Sequence, residues 1–134
     1  MEAEGFKEFI EKINNSNKDN EAFKNFSKLE NQIKDYILEI ILRDDNYKSI
    51  DEIGIEITWK LGHEVIPDNI IPIVSDVMFV AHELTKINIL NKKTEIKKRT
   101  FNYNVDDTYT IDYVKLNKDY INKIIKENKD ERRL

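Results

Sequence analysis

The 134 residues contain no cysteine, so neither a disulfide framework nor a thiolate metal site is available. Glycine occurs only as Gly5, Gly54 and Gly62, too far apart to build a glycine-rich loop. Folds that cradle nucleotide phosphates in such a loop are therefore excluded. His63 and His82 are the only histidines, each followed by glutamate, and neither belongs to an HExxH pattern. No metal site is expected from them. None of Ser16, Ser27, Ser49 and Ser75 sits in a nucleophile elbow, and no carboxylate pair is marked by an apolar pocket. The expectation is a protein that is not an enzyme and needs no cofactor.

Long apolar runs are missing too. The longest candidate, Val65 to Leu90, is interrupted by Pro67, Asp68, Pro72, Asp76 and Glu83, so no membrane partner is expected. The opening Met1-Glu2-Ala3-Glu4 is acidic, unlike a signal peptide. With the absence of cysteine, this leads to an expected cytoplasmic location. Glutamine appears once, whereas isoleucine, lysine and asparagine are abundant, the usage expected of an AT-rich archaeal or viral genome.

What is present is charge: 36% of residues are Asp, Glu, Lys or Arg, beside 40% hydrophobic residues. Such a chain can form one soluble domain with a real core. The net charge of −4 hides an asymmetry. Residues 1–90 carry 10 Lys/Arg against 18 Asp/Glu, and residues 91–134 carry 12 against 8. The positive excess gathers in Asn91 to Arg99, where Lys92, Lys93, Lys97, Lys98 and Arg99 face only Glu95. Local field matters more than total charge for a polyanionic partner.

Hydrophobic spacing places the elements. Phe6, Phe9, Ile10 and Ile13 mark one face of a short N-terminal helix, and the polar run Asn14 to Asn20 follows as a flexible linker. Residues 1–20 thus precede a main domain over 21–134. A second helix is expected over Glu21 to Arg43, striped by Phe23, Phe26, Leu29, Ile33, Tyr36, Ile37, Ile40 and Ile41. Ser49-Ile50-Asp51-Glu52 has the form of a capping box. It opens a helix with Ile53, Ile57 and Leu61 inward, while Ile55 and Trp59 fall on another face and need a neighbour or a partner. A third helix spans Asp68 to about Leu90, with Ile73, Val74, Val77, Ala81, Leu84 and Ile87 or Asn88 inward and Asn91 placed to close it.

The period then changes. Phe101, Tyr103 and Val105 alternate with asparagines, and Tyr109, Ile111 and Tyr113 alternate with polar residues. This predicts a long β-hairpin from Thr94 to Leu116, turning at Asp106-Asp107. Asn117 caps a final helix bearing Tyr120, Ile121, Ile124 and Ile125. The fold class is mainly α with a small antiparallel β-hairpin, an α+β protein.

Helix, capped short helix, turn, longer helix and hairpin, in that order over about Ser27 to Asn128, resemble a winged helix-turn-helix domain with extra N- and C-terminal helices. The resemblance implies DNA binding and a small dimeric transcriptional regulator matching palindromic half-sites. It makes the helix from Asp68 a recognition helix, with Asn69, Ser75, His82 and Lys86 toward DNA. It makes Lys92, Lys93, Lys97, Lys98, Arg99, Asn102 and Asn104 the wing's contacts to double-stranded DNA. Asp76 and Glu83 oppose a phosphate-lined groove. Phe79 beside Met78 is either core or a protein contact. Trp59 and Phe79 are therefore the residues of an alternative reading, an adaptor that uses the same fold to bind a protein partner.

Overall fold

The structure is a computed structural model that describes residues 3–43, 46–62, 70–100, 106–120, 122–123 and 126. It is mainly helical with a three-stranded antiparallel sheet. The order is α1 (Ala3–Ser16), α2 (Glu21–Asn25), α3 (Lys28–Arg43), β1 (Lys48–Ser49), α4 (Ile50–Gly62), α5 (Ile70–Lys86), β2 (Leu90–Thr100) and β3 (Asp106–Leu116). Helices α3, α4 and α5 pack on one another, α1 covers α3, and the sheet is built in the order β1-β3-β2.

The helix expected over Glu21 to Arg43 is two helices. Phe26 adopts an extended ψ of 133°, which ends α2. Ser27 then starts α3 with a reciprocal box: its N–H donates to Glu30 Oε1 at 2.8 Å, and the Glu30 N–H donates to Ser27 Oγ at 3.1 Å. The stripe continues through the break because Phe23 and Phe26 both reach the core. The asparagine-rich stretch is likewise structured rather than a linker. Helix α1 runs through Asn14 to Ser16, and buried Asn17 donates to the Ile13 carbonyl at 2.8 Å while accepting from the Tyr120 hydroxyl at 3.1 Å. Ile13 is fully buried.

At the second capping site one arm of the expected box forms, with the Glu52 N–H donating to Ser49 Oγ at 3.1 Å. Ile53, Ile57 and Leu61 of α4 meet Val77, Val80, Ala81 and Leu84 of α5 and Ile33, Ile37, Leu38, Ile40 and Ile41 of α3 in one core. Each of the larger side chains, Ala81 aside, contributes about 1.5–3 kcal/mol by leaving water. Pro72 lies in the first turn of α5, where its missing N–H has no carbonyl to serve.

Helix α5 stops at Lys86, four residues before the expected end at Leu90. Asn88, not Asn91, closes it. Its φ of 67° is left-handed, its N–H donates to the Thr85 carbonyl at 3.1 Å, and the Ile89 N–H donates to the Leu84 carbonyl at 3.0 Å. This is a Schellman closure, and asparagine is the non-glycine residue most at ease there. Asn88→Gly is expected to change stability by no more than about 0.5 kcal/mol, whereas Asn88→Val should cost about 1–2 kcal/mol, since a β-branched residue resists positive φ. Urea denaturation of both variants tests this.

Early closure lets β2 begin at Leu90, so the hairpin spans Leu90 to Leu116 rather than starting at Thr94. Its register pairs Leu90 with Leu116, Lys92 with Val114 and Thr100 with Asp106. Asp106 and Asp107 therefore belong to β3 and are not the turn. Phe101, Tyr103 and Val105 of the expected first arm lie outside the described residues. Asn117 ends β3, donating through Nδ2 to the Asn88 carbonyl at 2.8 Å, and its Oδ1 accepts from the Tyr120 N–H at 3.4 Å as the expected cap. Ile121, Ile124 and Ile125 lie outside the described side chains. Among the described residues no helix is long and apolar enough to cross a membrane.

Candidate nucleic-acid interface

The basic residues of the hairpin do not form a single patch. Neighbours along a strand point to opposite faces. Lys92 and Lys98 share a face with Leu90 and Val114, the side packed on the helices at its base. Lys93 and Lys97 share the other face with Tyr113 and Tyr109. Arg99 pairs across to Asp107 on that second face, but its side chain lies outside the described residues, as do Asn102 and Asn104.

Carboxylates temper the field of these lysines. Glu95 is 3.4 Å from Lys93 Nζ and 3.1 Å from Lys97 Nζ, and Lys92 lies 3.8 Å from Asp112. The hydrogen bond from Lys97 holds the Glu95 carboxyl below its ordinary range, and the same contact raises Lys97. All these groups are solvated, so the pairing is weak and open to exchange for phosphate. Lys98 is exposed opposite Thr108 and has no carboxylate partner among the described residues.

Helix α5 presents Ser75, Met78, Phe79, His82 and Lys86 to solvent, an arc set by its helical period. Ser75, His82 and Lys86 thus share the solvent face of α5, with Lys86 also 3.5 Å from Glu83. Asn69 lies outside the described residues. Met78 is 54% exposed and Phe79 47%, so neither is core. Phe79 packs one edge against Phe26, 6.4 Å between centroids, beside Glu30 and Glu83. Asp76 is pushed above the ordinary carboxylate value by partial burial and by Glu30, which favours its neutral form in an acidic neighbourhood.

On α4, Trp59 is 70% exposed and Ile55 60% exposed, opposite the buried Ile53–Ile57–Leu61 stripe. Neither residue enters the core.

Sequence reasoning overlooked two features. Strand β1, only two residues long, has no periodicity to detect, yet it pairs Lys48 with Val114 and Ser49 with Tyr113. That pairing brings Tyr47 beside the hairpin, where Lys93 Nζ lies 4.7 Å from its ring centroid. The other is Lys34, buried at 5% exposure within α3. Its ammonium donates to Asn31 Oδ1 at 3.1 Å and sits 4.5 Å over the Phe23 ring. Burial lowers its pKa, and the nearby Asp35 opposes that shift. The long stem packs apolar surface while the head finds partners, so a lysine interrupts an apolar stripe without breaking it.

Among the described residues no three His, Asp or Glu side chains converge to hold a metal ion. Comparison of the chain with protein-family models, with curated proteins and with solved structures found no match.

Proposed function

We propose that this chain is a winged-helix protein that binds double-stranded DNA, a small regulator acting as a twofold dimer. The observation that carries the reading is the chain order α3-β1-α4-α5-β2-β3 with sheet order β1-β3-β2. It resembles the arrangement of a winged helix-turn-helix domain, and that resemblance would place the last helix before the hairpin in the major groove. The exposed Ser75, His82 and Lys86 suit that helix, and the lysines of β2 suit flanking phosphates. With Asp76 and Glu83 on α5, the hairpin supplies most of the attraction.

Fluorescence anisotropy of a labelled nonspecific duplex tests this. Binding is expected at about 50 mM salt and should weaken steeply by about 200 mM, because each phosphate contact releases counterions. No binding at the lower salt overturns the proposal. A second reading, a winged-helix adaptor for a protein partner, is favoured by the exposure of Trp59, Ile55, Met78 and Phe79. Apolar side chains left this open are typical of protein contact sites.

A further inference from the structure

The face of the sheet that carries Tyr113 is turned away from the buried Leu90 and Val114, and it interleaves tyrosine with lysine. Lys93 Nζ sits between two rings, 4.7 Å from Tyr47 and 5.4 Å from Tyr113. Lys115 Nζ lies 5.6 Å from Tyr47, and Lys97 faces Tyr109 across the ladder. Ile111 fills the position between Tyr109 and Tyr113 on the same strand. We propose that this face binds single-stranded nucleic acid, with bases stacking on Tyr47, Tyr109 and Tyr113 and phosphates meeting Lys93, Lys97 and Lys115. The proposal rests on the reading that the hairpin meets nucleic acid, and it adds a second form of nucleic acid on the face that carries Lys93 and Lys97.

Charge and shape choose the occupant. Lys93, Lys97 and Lys115 face Glu95 and, at the far end of the ladder, Asp107, so the patch keeps a net positive charge on a chain whose net charge is −4. A polyanion is drawn to it in preference to the rest of the surface. Tyr47 and Tyr109 keep 36% and 37% of their surface open. A ring lying on a sheet can stack on a base only when that base is unpaired, since a duplex hides base faces inside its own stack. Tyr109 and Tyr113, four residues apart on one strand, stand about 13 Å from each other, room for a base on each with nucleotide between. The Lys93 side chain is 46% exposed, so its ammonium can exchange ring for phosphate as bases arrive.

The test is anisotropy of a fluorescein-labelled oligo(dT) of about 15 nucleotides with the full chain, against unlabelled inorganic polyphosphate as a competitor lacking bases. Tyr109→Leu and Tyr47→Leu should each weaken oligo(dT) binding on the order of tenfold, and Tyr109→Phe should retain it. Tyr109 lies on the hairpin beyond the helical body, so its variants should melt like the parent, which guards the result against misfolding. Polyphosphate should compete poorly. Leucine variants that bind like the parent, or polyphosphate that competes as well as oligo(dT) per charge, would overturn the proposal by reducing the face to a bare cationic surface. A ring-dependent oligo(dT) signal in a chain that ignores duplex would sink the duplex-regulator reading and leave this one standing. Duplex binding without oligo(dT) binding would do the reverse.

Discussion

Reversing Lys97, Lys98 and Arg99 together to glutamate is expected to lower duplex affinity at low salt by on the order of 100-fold or more. At contact distance in water each lost attraction is about 1 kcal/mol, and each new repulsion is similar. Screening by even modest salt trims the total, because Lys97 and Lys98 are open to solvent. The salt dependence should flatten in parallel. The slope of log affinity against log salt falls by about 0.9 for each phosphate contact removed, so by up to about 2.7 for three. The triple variant spans both faces of β2, with Lys98 on one and Lys97 and Arg99 on the other. Single reversals then show which face meets the duplex. Glu95→Gln should act in the opposite sense, since it releases Lys93 and Lys97 from a shared carboxylate. Unchanged affinity and slope in the triple variant would remove the hairpin from the DNA interface.

The second large effect separates two isoleucines on one helix. Ile57 of α4 is fully buried, and Ile55, two residues earlier, is 60% exposed. Ile57→Ala should cost about 3 kcal/mol in urea denaturation, the transfer loss of the removed methyl groups plus the cavity they leave. That is a large share of the stability of a domain this size. Ile55→Ala should stay within about 0.5 kcal/mol, because it removes no packed contact and alanine is the better helix former. Trp59→Ala should be equally mild for the fold. These mild variants decide the adaptor reading. If a protein partner docks on this face, its binding is lost while the melt is unchanged. If Ile55→Ala or Trp59→Ala unfolds the chain, those residues are structural and the motive for an adaptor disappears.

Local signals in the sequence were sufficient where the interaction is local. The stripe Ile53–Ile57–Leu61, the cap at Ser49 and the cap at Asn117 depend on residues three or four apart, and they stand in the structure where the spacing put them. The same kind of signal was present but unused at Ser27-Lys28-Leu29-Glu30, where a capping box cuts one long apolar stripe into α2 and α3. The existence of a hairpin was legible from alternating aromatic and β-branched residues.

Its register was not legible, and register is where the site is decided. The sequence places the turn at Asp106-Asp107. The pairing that won places Thr100 opposite Asp106. It is set by contacts remote in sequence: Leu90 and Val114 buried against the helices, β3 held by β1, and α5 closed early at Asn88. A shift of one residue would send Val114 to solvent and turn Tyr113 inward, at a cost no local propensity could offset. Composition alone determined that a cluster of lysines sits next to a hairpin in an otherwise acidic chain. Only the tertiary structure decided which lysines share a face, that Tyr47 joins them, that Trp59 is left open to solvent and that Phe79 packs an edge on Phe26. Those outcomes depend on which surfaces the core consumes, and that depends on the whole chain at once.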